Sequence, residues 1–167
     1  MIDADSGDIH LPNGFVVTPA LTLREFRQSW FGQDAVPNYP RSEPQHCWFW
    51  LAAGVLDSRP VSVQLSFDKE VLDSACLTAE IAEDSQEELR HWLDMKSFHD
   101  DLLRSDMGEP DTFTGTSDED TPGLDKAPNH LRPWGRAVSE FDYGGGDAYI
   151  SVQYNQHYDQ QGRGGPD

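Results

Sequence analysis

The sequence predicts an α+β fold: a single antiparallel β-sheet of about five to seven strands, with one or two helices packed on one face. Three observations support this prediction. Apolar and polar residues alternate over residues 61–67 and again over 148–154, and a helix-start signal precedes an apolar stripe after residue 85. A chain of 167 residues suits a single domain, which we place at residues 1–160, followed by a flexible tail at 161–167.

The first forty residues predict a short hairpin and a helix. The tripeptide Pro12–Gly14 is a turn signal between two short apolar segments, which we expect to form paired strands. Thr22 followed three residues later by Glu25 is a capping box, so a helix is expected to begin there. Its apolar positions extend to Trp30, and the helix is expected to end near Gly32.

Three consecutive strands are predicted in the centre of the chain. Residues 47–56 are nearly all apolar and are expected to form a fully buried strand. The alternation over residues 61–67 is the clearest strand signal in the chain, and residues 71–81 are expected to form the third strand. Because the turns at 57–60 and 68–70 are short, these strands should form an antiparallel meander.

A longer helix and an acidic loop are predicted next. Ser85–Glu88 is a second capping box, and the apolar stripe after it ends before Gly108, a residue type that favours a helix stop. Between Asp106 and Lys126 there are seven acidic residues and one basic residue, mixed with Gly, Pro, Ser and Thr. This composition predicts an exposed acidic loop at about residues 106–130.

The closing segment predicts a β-hairpin with one buried side. Ala148, Ile150, Val152 and Tyr154 would share the buried face. Glycine supplies the positive φ angles of a tight turn, an aspartate beside it can accept hydrogen bonds from nearby backbone amides, and a glycine after a tryptophan allows backbones to approach closely. We therefore expect structural roles for five residues: Trp134, Gly135, Asp142, Gly145 and Gly146.

The net charge of the chain indicates which classes of partner it can bind. Thirty acidic residues against twelve basic residues give a formal net charge of −18 and a pI near 4.4. Such a surface repels nucleic acid and anionic membranes, so neither is expected as a direct partner. It attracts basic proteins at a salt-dependent rate. Solubility alone is the other explanation of this charge.

The sequence contains few signals for disulfide formation, secretion or membrane insertion. Cys47 and Cys76 each lie in an apolar run and are expected to be free buried thiols. The N-terminal segment has no basic stretch followed by an apolar one, and the chain has no apolar run of 18 residues. We therefore expect a soluble, cytoplasmic protein.

The sequence contains no standard catalytic or metal-binding motif. His91 and His99 are eight residues apart, which is not a metal-ligand spacing on a helix. The cluster His99–Asp101 could perform acid–base chemistry, but a solvated helix face is the preferred interpretation. Gly144–Gly146 lies between strands and lacks the helix N-terminus of a phosphate site. We expect no cofactor, no metal ion and no enzymatic activity.

Three segments, Leu21–Phe26, Lys96–Leu103 and Trp134–Tyr154, carry a resemblance to known proteins. Together the segments resemble a group of small, largely uncharacterised bacterial proteins that end in W-G-x-x-x-S-x-[FY]-D-x-[RK]-[GS]-G-x-[AS]-x-I-x-[IV]-x-Y. The last segment is the specific one. This chain departs from the pattern at Arg132 and Pro133 before the tryptophan, at Gly144, where a basic residue is usual, and in its longer acidic loop.

The resemblance implies an immunity protein, which neutralises a secreted antibacterial toxin such as one delivered by type VI secretion. The expected partner is a cognate toxin domain with a basic active-site cleft, bound in the cytoplasm. A small hydrolase using His99, Asp100 or Asp142 is one alternative. A DNA-mimic inhibitor and a self-assembling subunit are the others. The contact residues we expect are Asp106, Glu109, Asp111, Phe113, Asp118, Glu119 and Asp120. The sequence leaves open the oligomeric state, the toxin's identity and whether blockade is by occlusion or allostery.

Overall fold

Seven strands form one antiparallel sheet, and two further strands form a small hairpin. The computed structural model describes residues 1–39, 45–80, 88–115, 124, 126–142 and 146–154. In chain order the elements are β1 (Ile9–His10), β2 (Val16–Val17), α1 (Leu23–Gln28), β3 (His46–Leu56), β4 (Arg59–Asp68), β5 (Val71–Ala79), α2 (Glu88–Met107), β6 (Thr112–Thr114), β7 (Ala127–Arg132), β8 (Gly135–Asp142) and β9 (Asp147–Tyr154). This architecture confirms the predicted α+β class.

Two meanders meet in the middle of the large sheet. The strand order is β3-β4-β5-β9-β8-β7-β6, so β3 to β5 form one meander and β6 to β9 form the other. They are joined where β5 pairs with β9, with Ala75 opposite Val152 and Leu77 opposite Ile150. Helix α2 makes the connection between the two meanders.

One face of the large sheet is packed against the helices, and we call it the covered face. Its buried side chains include Val63 and Leu65 of β4 and Ile150 of β9. Phe26 of α1 and Leu103 of α2 are buried in the same core, as are Ile9 and Val17 of the small hairpin. Both helices and the small hairpin therefore lie on one side of the sheet, in agreement with the prediction.

Two local predictions hold at the start of the chain, and one is corrected. Strands β1 and β2 pair around the predicted turn, and Thr22 and Glu25 form the predicted capping box. Helix α1 ends at Gln28 rather than near Gly32. The Ser29 hydroxyl donates to the Phe26 carbonyl oxygen at 2.6 Å and accepts from the Gly32 amide at 3.1 Å, which turns the chain out of the helix.

The expectation of a fully buried strand at residues 47–56 is wrong. Strand β3 is an edge strand that pairs with β4. Its side chains alternate, so Phe49 is buried in the core whereas Trp50 is 55% exposed and Val55 is 62% exposed. An apolar run cannot distinguish a central strand from an edge strand with an apolar outer side.

The interval 106–130, expected to be an acidic loop, contains regular structure. Helix α2 continues through Met107, and β6 and β7 form the far edge of the sheet. Among the described residues of this interval, 108–111, 115, 124 and 126 are irregular, and residues 116–123 and 125 lie outside the described residues. Residues 85–87 of the second capping box, Gly145 and the expected tail at 161–167 also lie outside them.

Candidate functional site

The side of the sheet that points away from the helices carries half-buried and exposed side chains over β3, β4, β5 and β9, and we call it the open face. A row of paired residues crosses it: Trp50 is opposite Gln64, Gln64 is opposite Cys76, and Cys76 is opposite Ser151. These residues line a concave site of about 480 Å³. Its size is in the range of ligand-binding clefts, which makes the open face the candidate functional site.

The hairpin of β8 and β9 brings three carboxylates to one end of this site. Glu140 is opposite Tyr149, and Asp142 is opposite Asp147. All four side chains line the concave site. Two like charges directly opposite each other destabilise a strand pair. The hairpin therefore holds an arrangement of carboxylates that folding alone does not favour.

The titrating groups in the site experience this negative charge. Burial raises the pKa of the Tyr149 hydroxyl, and Glu140, the Cys76 thiol and Asp142 raise it further. Burial raises the pKa of the Cys76 thiol to about 12, and Glu140 adds to the effect. Cys76 is therefore a protonated thiol at neutral pH and is unsuited to act as a nucleophile.

Positive charge is sparse on the open face. Among the described residues that line the concave site there is no lysine, arginine or histidine. Arg136 lies beside it on β8, and its Nε donates to the Gln153 side-chain oxygen at 2.8 Å. In the described part of the chain, neither Glu140 nor Asp147 forms an ion pair. Glu140 and Asp147 therefore present to a ligand negative charge that no ion pair within the described residues neutralises.

His99 is a core residue, so its assignment to a solvated helix face is wrong. Its side chain is 1% exposed. Its Nε2 accepts a hydrogen bond from the Ala79 amide at 3.0 Å, and its Nδ1 lies 2.8 Å from the Met95 carbonyl oxygen. Burial lowers the pKa of His99 to about 4. Both ring nitrogens are engaged with the backbone, which leaves neither available as a catalytic base.

The neighbours of His99 are also engaged. Asp100 forms an ion pair with Lys96 one turn earlier on α2, and Lys96 is buried. Asp101 is exposed and lies 3.3 Å from the Arg104 guanidinium. The structure therefore does not bring His99 together with Asp100 or Asp142 in a pocket. The arrangement that would favour a hydrolase is missing at this position.

The expected contact residues have different surroundings. Asp106 lies 3.0 Å from the N-terminal ammonium of Met1, and it accepts from the Ile2 amide at 2.9 Å. Asp111 accepts from the Leu131 amide and from the Arg132 guanidinium, at 2.7 and 2.9 Å. These two carboxylates tie parts of this chain together.

Of the other five expected contact residues, two are exposed and three lie outside the described residues. The Glu109 side chain is 82% exposed, at 3.5 Å from Arg104. Phe113 of β6 is 49% exposed, and the Lys126 ammonium lies 4.3 Å from its ring centre. Asp118, Glu119 and Asp120 lie outside the described residues. A contact role for this set stays a prediction.

Trp134 lies in the turn that joins β7 to β8, and Gly135 is the first residue of β8. The Trp134 indole donates to the Ala4 carbonyl oxygen at 3.0 Å and packs on Gly7. Gly135 has a φ of +152°, and a Cβ there would come within 2.0 Å of the Gln153 carbonyl oxygen. At the next turn, Gly146 has a φ of +71°. Its amide donates a hydrogen bond to the Asp142 carbonyl oxygen at 2.7 Å.

The sequence contained a signal for the open face, but it was incomplete. The polar positions of β4 and β9, such as Gln64 and Ser151, are the outward half of the alternation that predicted those strands. Trp50 of β3 and Glu140 of β8, which line the same site, come from other strands. The sequence does not specify that β5 pairs with β9, and this pairing is what gathers the residues on one surface.

Among the described residues, no group of three or more His, Cys, Asp or Glu side chains is arranged to hold a metal ion. No helix in the described ranges is both long enough and apolar enough to cross a membrane. Cys47 and Cys76 are free thiols, as predicted; Cys47 is also buried as expected, whereas Cys76 is only half-buried.

Comparison with known proteins shows a similarity of fold. No family model matches this chain, and no curated protein matches it. Among solved structures, it is similar to a chain of "Rhs1-CT in complex with cognate immunity protein RhsI1", with a TM-score of 0.50. The match covers 92% of this chain and 86% of that chain at 9% sequence identity. At that identity the similarity shows a shared fold alone.

Proposed function

We propose that this chain is an immunity protein that binds a cognate antibacterial toxin domain in the cytoplasm and blocks its activity. The observation that supports the proposal most directly is the concave, negatively charged open face, which no helix covers among the described residues. The fold similarity is consistent with it, because that solved structure is of a complex with a cognate immunity protein.

The charge of the chain suits this role. A net charge of −18 steers a partner with a basic surface toward the protein and raises the association rate at low salt. A basic active-site cleft is the partner surface we propose. Long-range charge alone does not give a tight complex, so the affinity must also come from buried contacts.

The open face offers an aromatic anchor for such contacts. Trp50 is 55% exposed at the edge of the concave site. Tryptophan and tyrosine are enriched among the residues that dominate binding energy at protein interfaces, and Tyr149 lies in the same site. We propose that Trp50 and Tyr149 are buried by the toxin, and that Glu109 and Phe113 make secondary contacts near β6.

The chemistry of the site favours binding over catalysis. The pKa of Cys76 is raised to about 12 by burial and by Glu140, so the thiolate form is rare at neutral pH. His99, the histidine that the sequence suggested for acid–base work, is buried with both ring nitrogens occupied. We therefore propose a non-enzymatic role in which the protein works by occupying the toxin.

A protection experiment tests this function. The toxin domain encoded beside this gene is co-expressed with wild-type protein, and survival of the cells is measured. We expect protection and a purified complex. We expect E140K combined with D147K to abolish protection. The matched control, D34K combined with D94K, adds the same charge at exposed positions on the helical side and should still protect. Failure of the wild-type protein to protect, or to form a complex, would contradict the proposal.

A further inference from the structure

The outer edge of β3 is long and carries no Asp, Glu, Lys or Arg side chain. Strand β3 has eleven residues, whereas β6, at the opposite edge of the sheet, has three. Natural edges are usually blunted by short strands, charged side chains, proline or a bulge. Strand β3 contains no acidic residue, lysine, arginine or proline, although the chain has a net charge of −18. Its edge before Ala52, where the register first shifts, therefore lacks the features that normally keep another strand away.

Two other stretches of the chain hydrogen-bond to this edge. The Trp48 amide donates to the Asn38 carbonyl oxygen at 3.0 Å, and the Asn38 amide donates to the Trp48 carbonyl oxygen at 2.8 Å. Further along β3, the Asn13 amide donates to the Ala53 carbonyl oxygen at 2.9 Å. These contacts close the edge on both sides of a short interval, residues 49–52.

Within this interval the edge is open. The backbone groups of every second residue in a strand point to the same edge. The amide and carbonyl groups of Trp50 and the amide of Ala52 therefore point outward, as those of Trp48 do. In the part of the chain that the structure describes, no group hydrogen-bonds to them. Both residues are exposed, and we call the outward backbone groups of Trp50 and Ala52 the open edge.

We infer that the open edge binds a short extended segment of the partner protein, which adds a strand to the sheet beside β3. This inference rests on the proposed function and names the conformation and the chemistry of the toxin segment that binds there. The segment accepts hydrogen bonds from the Trp50 and Ala52 amides and donates one to the Trp50 carbonyl oxygen. Because Trp50 also lines the concave site, the bound segment extends the open face by one strand.

The surroundings of the open edge favour an uncharged segment. Residues 35–39, which include Asn38, contain no acidic or basic residue. Val36 in this stretch and Val55 of β3 are 79% and 62% exposed, so both stretches add apolar surface. A charged side chain bound there would lose hydration without gaining a partner of opposite charge. We therefore expect apolar or small polar side chains in the segment, and basic residues of the toxin against the acidic surface elsewhere.

The contacts on either side of the open edge disfavour a second copy of this chain as the occupant. In a two-fold arrangement, two β3 strands would pair antiparallel, with Trp50 opposite Ala52 of the other copy. The other strand would then continue to the position beside Trp48, which Asn38 already occupies. A segment that is not itself held in a sheet avoids this collision.

Amide hydrogen exchange tests the inference, followed by NMR on the full chain with and without the toxin domain. In the free protein the Trp50 and Ala52 amides should exchange quickly, and the Trp48 amide should exchange slowly because it is bonded to Asn38. Saturation with the toxin domain should slow exchange at Trp50 and Ala52 by about tenfold or more. Unchanged exchange at these two amides in a complex that has formed would overturn the inference.

Two substitutions of one residue separate hydrogen bonding from shape. A52P removes the outward N–H, whereas A52V keeps it and has a side chain of similar size. The Ala52 amide donates to no described residue, so proline suits this edge position and both variants should fold, which thermal unfolding checks. We expect A52P to weaken toxin binding about tenfold relative to A52V. Equal affinities would contradict the inference, and the exchange measurement on the wild-type complex decides it if A52P does not fold.

The outcomes separate this inference from the proposed function. A toxin complex that tolerates A52P as well as A52V leaves the immunity function standing and shows that the open edge is not used. A protein that binds no toxin contradicts both, because the segment comes from the toxin. Trp50 and Ala52 amides that exchange slowly in the free protein, and faster on dilution, would identify a second copy at the edge and overturn the inference.

Discussion

Replacement of His99 by glutamine should make the free energy of unfolding of this protein less dependent on pH between about pH 7.5 and pH 5. Burial lowers the pKa of His99 to about 4 in the folded chain, and Lys96 and Arg59 lower it further, against the opposing hydrogen bond to Met95. The unfolded chain has the ordinary value of 6.5. Between these values the unfolded state binds the extra proton, so the stability contributed by the neutral ring is present above pH 6.5 and is lost as the pH falls toward 4.

The magnitude follows from the two pKa values. Each unit of difference between the folded and unfolded pKa values changes the free energy of unfolding by up to about 1.4 kcal/mol. The wild-type protein should therefore lose about 2 kcal/mol between pH 7.5 and 5 from this group alone, and about 3 kcal/mol over the whole interval. The carboxylates titrate in both proteins, so the difference between the two stability curves isolates His99.

Urea denaturation at several pH values measures both curves. The His99→Gln protein will be less stable at neutral pH, because the amide fits the Ala79 and Met95 backbone groups less well, but its curve should fall less on acidification. Parallel curves would refute the reasoning. An NMR titration of the His99 ring in the wild-type protein provides a second measurement, and an apparent pKa near 6.5 would show that the ring is accessible rather than buried.

The remaining predictions concern residues that stabilise the fold around the open face. Gly135→Ala should destabilise the fold by roughly 3 kcal/mol or more, because the positive φ is strained and the Cβ meets a backbone oxygen. Gly108→Ala, where a Cβ meets nothing within 4 Å, should cost only about 1 kcal/mol; equal losses in thermal unfolding would contradict the account. Asp106→Asn should weaken the tether of the N-terminus by about 1 kcal/mol at low salt and less at high salt, measured by urea unfolding. Glu109→Gln, at an 82% exposed side chain, should have no measurable effect on stability, and a loss as large as that of Asp106→Asn would count against the assigned roles.

The parts of the fold with a strong local period could be predicted from the sequence. Residues 61–67 and 148–154 alternate because one side of each strand faces the core, and that alternation depends only on the strand itself. The capping box at Thr22 and Glu25 is likewise a local arrangement of side chain and backbone. These elements needed no knowledge of tertiary contacts.

The errors arose where the deciding contact is distant along the chain. His99 is buried because its ring accepts a hydrogen bond from Ala79, twenty residues earlier. Strand β3 is an edge strand because of the sheet order, which the apolar run at 47–56 does not encode. Strands β6 and β7 were missed because β6 has only three residues and β7 contains a proline and charged neighbours.

The candidate site shows the same limit. Gln64 and Tyr149 could each be predicted to face outward from their own strand. Their placement in one concave site depends on the pairing of β5 with β9, between segments far apart in sequence. A charge count predicted an acidic protein, but only the register of β8 with β9 places Asp142 opposite Asp147.

The affinity of the purified complex for two matched tryptophan variants tests the central claim most directly. Trp50 and Trp30 are similarly exposed, but Trp50 lies on the open face and Trp30 packs on Phe15 and Phe31 beside α1. Trp50→Ala should weaken toxin binding by about 30-fold, corresponding to about 2 kcal/mol, and Trp30→Ala should leave it within about twofold. Equal affinities for the two variants, or a loss confined to Trp30→Ala, would contradict the assignment of the open face as the binding surface.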